Sequence, residues 1–133
     1  MWLEVPVASG KWLIWLCGVH SLGFAVFHIG FWQWFDWPVA LQRTNVPTRA
    51  VTQILNLRLI YVFFGVAVVC FWLPLELLHT RLGHVFLAGM ALFWVGRLVE
   101  QFVFLRINRP VVHVLSALFA AGAILFAAPL FAL

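Results

Sequence analysis

Three polar residues stand close together in an otherwise apolar stretch: Arg97, Glu100 and Gln101. At positions i, i+3 and i+4 they share one face of a helix, where the carboxylate or the amide can meet the guanidinium. A guanidinium presents a planar fork of donors that matches a carboxylate or phosphate through two parallel hydrogen bonds. The chemistry this triplet suggests is recognition of an anion, with Glu100 as the counter-ion Arg97 releases or as a proton acceptor.

Four more polar residues join the candidate set, because each interrupts an apolar run: His28, Gln53, Asn56 and His113. Gln53 and Asn56 share a helical face. Arg58 lies about 200° round the same helix from Asn56, and so reads as a separate contact or as a side chain reaching for headgroups. His28 and His113 are the pair that bis-histidine haem ligation would use. No H-E-x-x-H, nucleophile motif or carboxylate pair is present, so no catalytic residue is assigned. Cys17 and Cys70 are the only cysteines and form no C-x-x-C, which excludes thiol–disulfide oxidoreductase chemistry. They are expected to act as small apolar side chains, although similar depth on neighbouring helices permits a disulfide.

The elements that must hold these residues follow from composition. Of 133 residues, 65% are hydrophobic and 9% charged, a balance far from that of soluble domains. Apolar runs of about 20 residues, enough to cross a hydrocarbon core of roughly 30 Å, span 12–32, 51–73, 82–105 and 111–132. Pro38, Pro47, Pro74 and Pro110 fall between them, and Thr48, Thr80 and Asn108 stand where helix N-caps are wanted. The expected fold is all-α: an integral membrane, up-down four-helix bundle forming a single transmembrane domain over 1–133. The start of the chain lacks the basic segment and small-residue cleavage site of a signal peptide, so the first helix is expected to stay in the mature protein.

Short linkers put the first and third connections on one side and the second on the other, together with both termini. Arg43, Arg49, Arg106 and Arg109 flank the first side, against Lys11 and Arg81 on the second. The positive-inside bias then places both termini on the non-cytoplasmic side. The basic residues are read as orientation signals and not as nucleic-acid contacts, despite a net charge of +4. Trp32, Trp34 and Trp37 crowd the first connection and suit an interfacial aromatic belt, with a ligand-stacking wall as the sharper alternative.

The segments 23–30 and 89–96 both fit G-x-A-[VL]-F-x-[IV]-G and stand half a chain apart, as duplication of a two-helix hairpin (1–66 and 67–133) would produce. Their glycines would let the first and third helices meet closely.

By depth, the candidate residues gather toward the cytoplasmic half, with Arg97 roughly 12 Å below that boundary. Four readings stand open. One is a protein that binds or transports a small anion or lipid headgroup in a cytoplasm-facing cleft lined by His28, Gln53, Asn56, Arg97, Glu100, Gln101 and His113. The others are a haem- or quinone-binding subunit, an accessory or assembly subunit with a purely structural polar cluster, and an enzyme acting on a membrane-embedded substrate. Small multidrug transporters match in size but need an acidic residue inside the first helix, which this helix lacks. In size and hydropathy alone the chain resembles small multi-pass proteins of the bacterial inner membrane, which implies that location, the lipid bilayer as partner, and a homodimer or larger complex if it transports. No cofactor is assigned.

Overall fold

The computed structural model describes residues 4–131, with side chains from residue 10 onward. Among the described residues the structure is all-α. Its elements are α1 (Glu4–Ile29), α2 (Phe31–Trp34), α3 (Trp37–Ala40) followed by a 3-10 turn (Leu41–Arg43), α4 (Val46–Trp72), α5 (Pro74–His79), α6 (Arg81–Phe104) and α7 (Pro110–Phe131). Four segments are long and apolar enough to cross a membrane: Gly10–Ile29, Val46–Trp72, Arg81–Phe104 and Pro110–Phe131. At 1.5 Å per residue the shortest runs about 30 Å and the longest about 40 Å.

The outer surface of these helices is apolar, unlike that of a soluble protein, and the interior is apolar with a few buried polar groups. Ser21, Asn56 and Gln101 are buried, while Val19, Val26, Ile54, Leu55, Val85 and Leu92 are exposed. Each helix buries a narrow stripe. On α1 it runs through Ile14, Cys17, Ser21 and Phe24; on α6 through Gly83, Leu87, Trp94 and Gln101; on α7 through Phe119, Gly122, Phe126 and Pro129. Spacings of three, four and seven keep each stripe on one side of its helix. Apolar surface left exposed on this scale belongs against lipid. The chain is a multi-pass membrane protein.

The chain forms two compact units, Met1–Cys17 with Cys70–Leu133, and Gly18–Val69. The boundaries fall inside α1 and α4, so each of those helices contributes to both. In the first unit α6 and α7 pair antiparallel, and the Trp94 ring stacks on Phe119 with centroids 5.6 Å apart. A tight corner joins α5 to α6. There Thr80 accepts from the Gly83 N–H at 2.9 Å, and His84 Nε2 donates to the Leu78 carbonyl at 2.6 Å. Thr80 is thus the N-cap its position predicts. In the second unit α1 ends at Ile29 instead of continuing to Trp32. Trp34 folds back over Gly30, where a Cβ would lie 2.6 Å from the indole, and stacks toward Phe27 at 5.2 Å.

Two other caps differ from expectation. α4 starts at Val46 because Asn45, not Thr48, is the cap: its Oδ1 accepts from the Thr48 N–H at 2.8 Å. Asn108 turns its Oδ1 to His113 Nε2 at 2.7 Å, and α7 begins at Pro110.

The glycines of the repeated motif also behave differently from the sequence reading. A Cβ on Gly23, Gly89 or Gly96 would meet nothing within 4 Å, so none of them is a point of close helix approach. Close approach occurs at Gly83, whose Cα faces the Glu76 carbonyl and the Leu77 backbone with no room for a methyl group. Gly83→Ala should therefore lower detergent-solubilised stability by about 1–3 kcal/mol, while Gly89→Ala should change it by less than about 0.5 kcal/mol. Thermal unfolding of the two variants side by side checks this, and equal effects would remove the distinction.

Both cysteines are buried and free. Cys17 is more than a small apolar side chain, because its thiol donates to the Leu125 carbonyl at 3.1 Å. That carbonyl needs a donor because Pro129, four residues on, has no N–H to supply the usual helical bond. Cys17→Ala, which leaves the Leu125 carbonyl unmet, should cost about 1–3 kcal/mol in the wild-type background and clearly less beside Pro129→Ala, where residue 129 regains its N–H. Full additivity in this double-mutant cycle would show that the thiol and the proline act separately.

Candidate functional site

The candidate residues divide between the two units. His28, Gln53 and Asn56 lie in one; Arg97, Glu100, Gln101 and His113 lie in the other.

In the Gly18–Val69 unit the polar groups serve helix ends. Because α1 stops at Ile29, carbonyls near its end take partners outside the regular helical ladder; Phe27 accepts from the Gly30 N–H at 3.1 Å. The buried Asn56 on α4 donates its Nδ2 to the His28 carbonyl at 2.9 Å, and its Oδ1 is buried without a partner. The His28 ring donates from Nδ1 to the Phe24 carbonyl at 2.7 Å. It packs among Phe31 and Phe63, with centroids 4.4 and 5.3 Å away. Gln53 accepts from Trp32 Nε1 at 3.0 Å and donates to the Arg49 carbonyl at 3.2 Å. Trp32 also meets Trp37 edge to face at 5.3 Å, so the aromatic cluster of the first connection packs largely upon itself. Arg58 makes the separate contact its position predicts, with its guanidinium 5.6 Å from the Tyr61 ring.

In the other unit, the guanidinium of Arg97 lies over the face of Phe119, 4.5 Å from the ring centroid. Trp94 stacks on the same ring, so the cation and the indole of α6 meet at one phenyl ring of α7. An arginine inside a bilayer is expensive, and the negative face of an aromatic ring offsets part of that cost without a second buried charge. Glu100 is exposed. Gln101 does not bond the guanidinium: its Nε2 donates across to the Val112 carbonyl of α7 at 3.3 Å, and its Oε1 is buried without a partner.

One turn further toward the α6–α7 connection, a cavity of about 260 Å³ opens. Gln101, Arg106, Asn108, His113 and Ser116 supply its polar lining; Phe102, Leu105, Ile107 and Val112 supply the rest. Arg106 is anchored by its Nε, which donates to the Phe102 carbonyl at 3.2 Å, and its terminal nitrogens carry the remaining donors. The Ser116 hydroxyl donates to the Val112 carbonyl at 3.0 Å. Gln101 and His113 are thus brought together by the hairpin, while Arg97 and Glu100 are not among the lining residues. Arg106, Asn108 and Ser116 join the site through a feature the sequence states only indirectly. A short connection between antiparallel helices brings the last turn of one, the linker and the first turn of the next to one place. Among the described residues, no three His, Cys, Asp or Glu side chains gather as a metal set.

If the ring holds Arg97, the two should couple energetically. A double-mutant cycle of Arg97→Met and Phe119→Leu should give a coupling of about 1–2 kcal/mol, read from unfolding midpoints in detergent. Independent effects would break the assignment. Comparison with protein-family models, with curated proteins and with solved structures gives no match, so the reading of this site rests on its own residues.

Proposed function

We propose that this membrane protein binds a phosphate-bearing ligand, the headgroup of a lipid or a small anion of the same chemistry, in the cavity at the α6–α7 connection. The observation that carries the reading is that cavity itself. It combines an anchored arginine, Arg106, with the polar side chains of Asn108, His113 and Ser116, at a helix end where lipid headgroups lie. The terminal nitrogens of a guanidinium suit a phosphate, since they donate in parallel in a fixed plane. Arg97, committed to Phe119, holds the two helices together behind the cavity and is not the ligand's counter-charge. Arg106 and Arg109 flank the cavity, and by the positive-inside bias it faces the cytoplasm of a cell whose plasma membrane the protein crosses.

Protein purified in mild detergent and examined by native mass spectrometry should retain phospholipid. Arg106→Ala should weaken that retention roughly tenfold, whereas Arg81→Ala, at the other end of α6, should not alter it. Inorganic phosphate added at millimolar concentration separates the two sources: displacement of the lipid indicates that the phosphate group alone is recognised, and continued retention indicates a lipid ligand. Equal retention by the Arg106 and Arg81 variants would defeat the proposal.

A further inference from the structure

Gln101 carries more information about the occupant of this cavity than its charge-neutral side chain suggests. Its amide has one edge that donates and one that accepts. The donating edge is fixed by Val112, whose carbonyl can only accept, so the orientation of the amide is set by chemistry and not by choice of atom names. Oε1 must then lie on the opposite edge. It is buried, and no hydrogen bond reaches it.

Two of the side-chain donors that line the cavity serve protein acceptors, which leaves the terminal nitrogens of Arg106 and the Asn108 amide N–H. The Ser116 hydroxyl serves the Val112 carbonyl, and His113 Nε2 serves Asn108 Oδ1. Orphaned buried acceptors are uncommon in native proteins, and each calls for a partner such as a water, an ion or a ligand. Gln101 and Arg106 line the same cavity, and because Oε1 is buried an occupant would reach it only when the side chains around it part.

We infer that the ligand carries a hydrogen-bond donor next to its phosphate, which Gln101 Oε1 accepts while the Arg106 guanidinium holds the phosphate. This deepens the functional reading above and rests on it. Among membrane lipids the requirement selects ethanolamine and glycerol headgroups, whose ammonium and hydroxyl donate, over choline, whose quaternary nitrogen has no proton to give. Phosphoethanolamine is the soluble compound of the same chemistry.

The test varies the ligand and leaves the protein intact. Delipidated protein in detergent is titrated, with native mass spectrometry as readout, against phosphatidylethanolamine and its mono-, di- and trimethylated forms with matched acyl chains, and against phosphatidylglycerol. The first three members each keep at least one N–H. They and phosphatidylglycerol should bind with similar affinity, and the final methylation should weaken binding roughly fivefold. Gln101→Leu should erase that step without changing the affinity for the trimethylated lipid, and Arg106→Ala should weaken all five. Phosphoethanolamine competing as well as the intact lipid assigns the same chemistry to a soluble ligand; no competition assigns it to the lipid. An even decline along the methylation series, or no decline, with Arg106 dependence retained, overturns the donor requirement and leaves phosphate binding standing. Loss of Arg106 dependence throughout overturns phosphate binding itself.

Discussion

A side chain of one helix donating to a main-chain carbonyl of another is the interaction on which this protein depends most. Cys17 of α1 serves Leu125 of α7, Gln101 of α6 serves Val112 of α7, and Asn56 of α4 serves His28 of α1. In hydrocarbon no water completes a helix end or a proline gap, and each unmet group costs several kcal/mol. Lipid tails are as apolar as leucine, so burial of apolar surface does little to hold helix against helix. These few directional contacts therefore specify which faces meet, and packing such as Trp94 on Phe119 fills in around them.

This explains what the sequence could and could not disclose. The four spans were legible because only runs of about 20 apolar residues cross a bilayer; the largest differences are at the starts of α1, which extends to Glu4, and of α4, which begins at Val46 instead of 51, while the expected end of the last span at 132 lies outside the described residues. Their ends were harder to read. Gly30 ends α1 through a tryptophan that folds back four residues later, and Asn45 outcompetes Thr48 as a cap because the helix begins a turn earlier. Such choices depend on the local path of the chain more than on residue type.

The polar residues were legible as costly but not as to partner. Side-chain pairing was the natural expectation for Arg97, Glu100 and Gln101 at helical spacing. Arg97 lies over a ring on the next helix, with the exposed Glu100 near enough to attract it, and Gln101 uses a backbone carbonyl, a group that every residue carries and no sequence pattern marks. The repeated glycine motif pointed to close packing that Gly23, Gly89 and Gly96 do not make, since an apolar helix can carry glycine on its lipid face as readily as at a contact. The cavity needed the hairpin itself, which joins Gln101 to Ser116 across a linker whose Arg106 signals only charge in the sequence.

Pro129 has a consequence for how α7 is joined to the rest of the chain. A helix that meets all its own hydrogen bonds needs no donor from a neighbour, but α7 carries an open acceptor at Leu125 into the membrane. Its donor, Cys17, lies 108 residues away along the chain. The acceptor that the proline opens in α7 is thus met only where α1 packs against it, so one hydrogen bond links helices that are far apart along the chain.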